Sequence, residues 1–192
     1  MASILVVCTG NVCRSPIAEA ALRAKLTDRF GDRAPVVSSA GTAGWEGSGA
    51  VWESVKVAAE RGFDIEAHVA RELTPTMVED ADLILCMAAE HRDAVRSGSG
   101  DAVGRTFTLK GLVRLLEQLP PVPAGADPDS LAARVAEAAA IAGQSASGEL
   151  MDEDVADPLG SSMEAFRAIA WEIDDRTEAL VVGLYGPAPA NT

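Results

Sequence analysis

The chain has 192 residues, of which 48% are hydrophobic, so it is long and apolar enough to bury a core of ordinary size. Its formal net charge of −13 disfavours nucleic-acid and anionic-membrane partners, because both require a basic surface. No window is apolar for long enough to span a bilayer. An odd count of three cysteines, without an export signal, predicts a reduced, cytoplasmic protein.

Strands and helices are predicted to alternate along the chain. In chain order they are strand 4–7, helix 16–30, strand 36–38, helix 51–61, strand 83–87, strand 106–109 and a last helix from about residue 161. The strands are short, continuous apolar runs rich in β-branched residues, which is typical of a parallel sheet buried on both faces. Ser161 and Glu164 form a capping-box pattern at the start of the last helix.

The composition changes over about residues 118–153. A proline-rich stretch, LPPVPAGADPDS, precedes LAARVAEAAAIA, whose alanines favour a short helix, and the polar, acidic GQSASGELMDED. This segment is too short for a core of its own. We therefore predict a single domain over residues 1–192 with a surface insertion at about 118–153, and a frayed tail, GPAPANT.

The stretch CTGNVCRSP at residues 8–16 connects the first strand to the first helix. A loop in this position presents backbone N–H groups and the positive end of a helix, which together bind anions. Gly10 permits close approach of the backbone, and Arg14 offers a planar fork that can hold two phosphate oxygens. These groups and the Ser15 hydroxyl would stabilise a Cys8 thiolate. The loop therefore predicts a phosphate site with a nucleophilic sulfur at its centre.

The spacing of Cys8, Arg14 and Ser15 is that of the cysteine-dependent phosphatases, and VCTGNVCRSP resembles the loop of the low-molecular-weight protein tyrosine phosphatases. Further matches are SAGT at 39–42, RGFDIEAHVARELT at 61–74, ADLILCM at 81–87 and the Asp157-Pro158 pair. The resemblance covers most of residues 1–116 and 154–184. It implies a three-layer α/β fold with helices on both faces of a central four-stranded parallel sheet of order 2-1-3-4.

The resemblance also implies a mechanism that needs no metal or cofactor. Cys8 attacks phosphorus and forms a phosphocysteine, Arg14 holds the equatorial oxygens, and Asp157 protonates the leaving group and then activates water. The implied phosphate-binding residues are Thr9, Gly10, Asn11, Val12, Cys13, Arg14 and Ser15. The expected partners are a phosphorylated protein substrate and inorganic phosphate or a similar oxyanion in the loop.

Outside the loop, the resemblance implies that Ser39 and His68 support its shape and that Trp45 and Leu159 form the pocket wall. A buried anchor is the alternative for Trp45, and a surface position is the alternative for His68. A solvated acidic loop is the alternative for Asp157, but the proline that follows it and the helix start behind it favour the catalytic role. His91 is predicted to lie on a solvated helix face.

The cysteines other than Cys8 are open to simpler interpretations. Cys13 either fills space or, as in the family, forms a protective disulfide with Cys8 under oxidant. Cys86 lies in the middle of an apolar strand and is predicted to be structural.

The residues that would select the substrate point in two directions. Leu159 and Gly160 stand where tyrosine-directed members carry aromatics, and Ala88 stands where many carry an aspartate. These features resemble the bacterial branch that includes protein arginine phosphatases, as do Thr9 and FTLK at 107–110. However, the arginine phosphatases carry threonine where this chain has Val12, and an aliphatic side chain suits an aryl ring. We therefore predict a phosphotyrosine phosphatase, with a protein arginine phosphatase as the alternative.

Two other classes share parts of this pattern. Thiol-coupled arsenate reductases have the same fold and a similar loop, but they need a pair of downstream cysteines, and this chain has only Cys86. A phosphate-binding module without catalysis would not require Cys8, Arg14 and Asp157 together. Both classes are therefore disfavoured.

Overall fold

A four-stranded parallel sheet forms the centre of the computed structural model, which describes residues 1–144 and 153–188. The strands are β1 Ser3–Cys8, β2 Val36–Gly41, β3 Leu83–Cys86 and β4 Thr106–Thr108. All three neighbouring pairs are parallel, and the order across the sheet is β2-β1-β3-β4. The predicted fold class and strand order are confirmed.

Helices pack on both faces of this sheet. They are α1 Arg14–Phe30, α2 Trp52–Glu60, α3 Pro75–Glu79, α4 Ala89–Gly98, α5 Leu109–Glu117, α6 Leu131–Gln144 and α7 Met163–Tyr185. Short 3₁₀ turns occupy Gly31–Arg33, Gly100–Arg105 and Pro128–Ser130.

The side chains of β1 alternate between two apolar clusters, as the period of a strand requires. Ile4 and Val6 belong to the cluster that includes buried residues of α1, α5 and α7. Leu5 and Val7 belong to the cluster that includes Val95 of α4. Both faces of β1 are therefore buried, which explains why its sequence is a continuous apolar run.

The start of α7 differs from the prediction by one residue. Ser162, not Ser161, is the N-cap, and its Oγ accepts a hydrogen bond from Ala165 N at 3.4 Å. Ser161 N donates instead to Pro158 O at 2.8 Å, so Ser161 belongs to the turn that precedes the helix. The predicted capping box of Ser161 and Glu164 is therefore wrong.

Helix α6 occupies the alanine-rich part of the 118–153 segment, where a helix was predicted. Its Leu131, Val135 and Ala138 are buried in the larger core cluster. Arg134 donates to Gly183 O of α7 and, through Nη2, to Pro120 O at 2.8 Å. Most of the predicted polar loop GQSASGELMDED lies outside the described residues. The last residues of the tail that is predicted to be frayed also lie outside them. The division into one domain with an insertion stays a prediction.

Candidate active site

The phosphate loop, residues 8–15, lies at the carboxyl end of β1, between the last residue of that strand and the first turn of α1. Cys8 is 2% exposed. Its sulfur accepts a hydrogen bond from Asn11 N–H at 3.3 Å and lies 2.9 Å from Ser15 Oγ. Asn11 Nδ2 donates to the same Ser15 Oγ at 2.9 Å, which leaves the Ser15 hydrogen free to point at the sulfur. Two donors are thus available to a Cys8 thiolate.

Asn11 fixes the shape of the phosphate loop. It has a φ of 56°, in the left-handed region that asparagine tolerates better than most residues. Its Nδ2 also donates to Ser39 Oγ at 2.8 Å, and its Oδ1 accepts from Arg71 N at 2.8 Å. His68 Nε2 lies 2.8 Å from Asn11 O. Ser39 and His68 therefore both contact the phosphate loop, and their supporting role stays a prediction.

Gly41, at the end of β2, lies against the back of the phosphate loop. A Cβ atom at this position would lie 2.5 Å from Thr9 O and 3.0 Å from Asn11 N. Any larger residue would therefore push the loop out of place. Gly41 belongs to the SAGT match, but its role was not predicted, because close approach between distant backbones leaves no local sequence signal.

The Arg14 guanidinium links the phosphate loop to a second segment, residues 153–160, which we call the acid loop. Arg14 is 3% exposed. Its Nη1 donates to Val155 O at 3.0 Å, and its Nη2 donates to Asp157 Oδ2 at 2.7 Å and to Thr9 Oγ1 at 3.2 Å. Cys8, Arg14 and Asp157 thus meet at one place, although Asp157 is far from the others in the sequence.

The acid loop is attached to the ends of β3 and α4. Val155 N donates to Met87 O at 2.7 Å, which extends the backbone pairing beyond β3. Asp154 Oδ1 accepts from Ala89 N at 2.7 Å, where a carboxylate satisfies a free N–H of the first turn of α4. These bonds fix the segment that leads to Asp157. The role of Asp154 in holding the acid loop was not predicted from the sequence.

A small cavity of about 60 Å³ opens above the Cys8 sulfur. Its lining residues are Cys8, Thr9, Gly10, Val12, Cys13, Arg14, Trp45, Asp157 and Leu159. Trp45 is 49% exposed and Leu159 is 46% exposed, so both form the rim rather than the floor. The alternative interpretation of Trp45 as a buried anchor is wrong.

The comparisons with known proteins identify the family. Residues 3–118 match the family model described as low molecular weight phosphotyrosine protein phosphatase. The chain belongs to this family. The low molecular weight protein-tyrosine-phosphatase Etp of Escherichia coli K12 is 42% identical over 105 residues, which are 55% of this chain and 67% of Etp.

Solved phosphatase structures resemble nearly the whole chain. The crystal structure of the Erwinia amylovora tyrosine phosphatase AmsI superposes with a TM-score of 0.69 at 28% identity, covering 95% of this chain and 92% of AmsI. The YwlE arginine phosphatase from Geobacillus stearothermophilus gives a TM-score of 0.68 at 29% identity, covering 94% of this chain and 90% of YwlE. The match to the family model ends at residue 118, so the placement of Asp157 depends on the fold rather than on that match.

Two cysteines of this phosphatase are unsuited to act as resting nucleophiles. Burial raises the pKa of the Cys13 thiol to about 12, and the nearby Asp157 carboxylate adds to the shift. Burial in β3 likewise raises the pKa of Cys86 to about 12. Both groups are therefore protonated thiols at neutral pH. Cys86 is fully buried, as predicted.

His91 lies in a different environment from the predicted one. The predicted position was a solvated helix face, but His91 is 1% exposed, and its Nε2 lies 2.9 Å from Thr9 Oγ1. The reason is the position of α4, which starts directly after β3 and directs its first turn towards the phosphate loop. Burial and the positive charge of Arg14 lower the pKa of His91.

Proposed function

We propose that the protein hydrolyses phosphotyrosine in phosphorylated proteins through a phosphocysteine intermediate. This proposal rests on one observation: Cys8, Arg14 and Asp157 line the same small cavity at the carboxyl end of β1. Anions bind at such strand-to-helix turns because backbone N–H groups and the positive helix end point at them. The sulfur at the base of the cavity supplies the nucleophile.

In the first step, the Cys8 sulfur attacks phosphorus and the bond from phosphorus to the phenolic oxygen breaks. Arg14 and the loop N–H groups stabilise the charge on the equatorial oxygens in the transition state. Asp157 donates a proton to the leaving oxygen, so tyrosine departs as a neutral phenol. The product that stays on the enzyme is a phosphocysteine.

In the second step, the Asp157 carboxylate takes a proton from water, and the water oxygen attacks phosphorus. The sulfur–phosphorus bond breaks and inorganic phosphate forms. The sulfur departs as a thiolate, which the Ser15 hydroxyl and Asn11 N–H are placed to stabilise. Phosphate release returns the enzyme to its starting state.

The cavity rim favours an aryl substrate. Val12, Trp45 and Leu159 present apolar surface beside the sulfur, and a phenyl ring gains from burial against such groups. Phosphoarginine is the second candidate, because Leu159 and Gly160 rather than aromatic residues come directly after Asp157-Pro158, and because YwlE, described as an arginine phosphatase, has a similar fold at 29% identity.

We infer the partners and the cellular location from the net charge and from the free cysteines. A net charge of −13 supports phosphoprotein substrates bound at a local positive site and disfavours nucleic acids and membrane surfaces. Among the described residues, every helix is too short or too polar to cross a membrane. The three cysteines are free and buried, which is consistent with a reducing cytoplasm.

Turnover of matched phosphotyrosine and phosphoarginine peptides, measured side by side, tests this proposal. We expect a higher kcat/KM for phosphotyrosine. Val12→Thr should shift the ratio towards phosphoarginine, whereas Val12→Ala, which removes volume without adding a hydroxyl, should not. A wild-type preference for phosphoarginine would make the second candidate correct, and hydrolysis of neither peptide would contradict both.

A further inference from the structure

A buried histidine lies directly behind the phosphate loop. His91, in the first turn of α4, is 1% exposed, and its Nε2 lies 2.9 Å from Thr9 Oγ1. The same nitrogen lies 3.4 Å from Glu90 Oε1. Its Nδ1 is buried and has no hydrogen-bond partner within the described part of the chain. The implied mechanism gives His91 no role, and it counts Thr9 among the phosphate-binding residues without a role for its hydroxyl.

The hydrogens around Thr9 can be assigned by counting donors. Arg14 Nη2 has only hydrogens to give, so at 3.2 Å the Thr9 oxygen must accept from it. The Glu90 carboxylate only accepts, and its position favours a hydrogen on His91 Nε2. That single hydrogen is donated to Thr9 Oγ1, which is the nearer acceptor at 2.9 Å. The hydroxyl then accepts twice, and its own hydrogen is left for a group in the cavity, which Thr9 lines.

We propose that His91 is a positioning residue: it orients the Thr9 hydroxyl so that the oxygen holds Arg14 Nη2 while the hydrogen donates to an oxygen of the bound phosphoryl group. This inference rests on the proposed phosphatase function of the Cys8 site. It adds the Thr9 side chain to the anion-binding groups of the loop and gives His91 a role that acts through Thr9.

The charges around His91 suit this role. Burial and Arg14 disfavour its cation, whereas Glu90, Asp154 and Asp157 favour it, and the net effect lowers the pKa of His91. A histidine with a lowered pKa is neutral at pH 7. A neutral imidazole has one donor and one acceptor. A neutral His91 can therefore orient the Thr9 hydroxyl without placing a second positive charge beside Arg14.

Four variants test the role of His91. His91→Leu removes the donor at similar volume, and His91→Gln keeps an N–H. Thr9→Val removes the hydroxyl, and Thr9→Ser keeps it. We expect His91→Leu and Thr9→Val each to weaken inhibition by inorganic phosphate by about 10- to 100-fold, the range for hydrogen bonds that involve charged groups. His91→Gln and Thr9→Ser should recover much of that loss.

The double variant His91→Leu/Thr9→Val tests whether His91 affects phosphate binding through Thr9 or independently of it. If His91 acts through Thr9, His91→Leu should add little to the loss already caused by Thr9→Val, because the two side chains form one unit. Additive losses would overturn the proposal. If His91→Leu does not fold, equal phosphate affinity of Thr9→Val and Thr9→Ser would overturn it as well.

Val95→Ala provides the matched control. Val95 lies one turn further along α4 and is 2% exposed, in the apolar cluster on the opposite side of the sheet from α1. Its truncation should lower the melting temperature but leave phosphate inhibition intact. If His91→Leu behaves in the same way as Val95→Ala, His91 is merely structural and the inference fails. A wild-type protein that neither hydrolyses p-nitrophenyl phosphate nor binds phosphate would instead remove the proposed function itself.

Discussion

Asp157 Oδ2 accepts a 2.7 Å hydrogen bond from Arg14 Nη2, so the proposed general acid and the proposed phosphate-binding cation form an ion pair at the cavity. The Arg14 side chain is 4% exposed, whereas that of Asp157 is 45% exposed. We therefore expect a phosphoryl oxygen that binds Arg14 Nη2 to replace the more exposed partner, Asp157. Asp157 lines the cavity, so we expect the displaced carboxyl group to stay close enough to protonate the leaving oxygen.

Asp157→Asn should lower turnover by roughly 10²–10⁴-fold, the usual contribution of a general acid. The amide cannot donate an acidic proton to the leaving group. The loss should be larger for phosphotyrosine than for p-nitrophenyl phosphate, because nitrophenolate departs without much proton donation. Steady-state kinetics with both substrates provide the measurement.

Asp154→Asn is the matched control for that loss. An asparagine keeps the oxygen that accepts from Ala89 N at 2.7 Å, so the acid loop should remain in place. We expect turnover within a few fold of the wild type, on the scale of one neutral hydrogen bond. A large loss in Asp154→Asn together with full activity in Asp157→Asn would show that the acid has been misassigned.

Cys8→Ser should abolish hydrolysis of p-nitrophenyl phosphate and retain phosphate binding. The hydroxyl is a poor nucleophile at neutral pH, but Arg14 and the loop N–H groups stay in place. Binding can be measured as a phosphate-dependent rise in melting temperature. Cys13→Ser should retain measurable turnover, because Cys13 is a protonated thiol with a pKa of about 12. An active Cys8→Ser enzyme would exclude Cys8 as the nucleophile.

Gly41→Ala should inactivate the enzyme without changing any group that touches the substrate. The added Cβ would lie 2.5 Å from Thr9 O, a backbone atom that cannot rotate away, so the phosphate loop must shift. A displacement of about 1 Å can cost roughly 10²-fold in turnover. Turnover of p-nitrophenyl phosphate and the melting temperature are the measurements.

Gly98→Ala is the control for Gly41→Ala. Gly98 is the last residue of α4, and a Cβ there would meet nothing within 4 Å. Alanine favours the helix, so stability should rise by up to about 1 kcal/mol while turnover is kept. Equal turnover in Gly41→Ala and wild-type protein would show that the close approach to the loop is not required.

The contents of the phosphate loop were predictable from the residues themselves, and the sheet order was predictable from the family resemblance. Cys8, Arg14 and Ser15 belong to one short loop, so their spacing in the chain alone predicts that they lie close together. The placements of Gly41 and His91 were not predictable in this way. Each depends on how a segment far along the chain packs against the loop, and a local pattern such as AAEHRDAV is compatible with either a buried or an exposed histidine.

The acid loop shows a second limit of sequence analysis. Asp157 was recognised from its Asp-Pro pair, but the groups that position it were not. In the sequence, Asp154 is one of several charged residues in an acidic stretch. Only the fold shows that its carboxylate accepts a hydrogen bond from Ala89 N at the start of α4. A carboxylate at a helix N-terminus is favourable, but the helix concerned begins 65 residues earlier in the chain.

Cys86 should make the protein less stable at alkaline pH. Its ordinary pKa of 9.0 rises to about 12 in the folded state because burial in β3 disfavours the thiolate. Below pH 9.0 the thiol is protonated in both states and contributes no pH dependence. Between about pH 9 and 12 the unfolded chain loses this proton while the folded chain keeps it, so rising pH favours unfolding. The slope from one such group is about 1.4 kcal/mol per pH unit.

Cys86→Ala should remove that contribution, so its unfolding free energy should fall less steeply above pH 9 than that of the wild type. Ile84→Val, at a fully buried position of the same strand, should lower stability by about 0.5–1.5 kcal/mol at every pH and leave the slope unchanged. Denaturant unfolding from pH 7 to 11 measures both quantities. Parallel curves for Cys86→Ala and the wild type would contradict the prediction, because a thiol that ionises equally in both states cannot alter the pH dependence of folding.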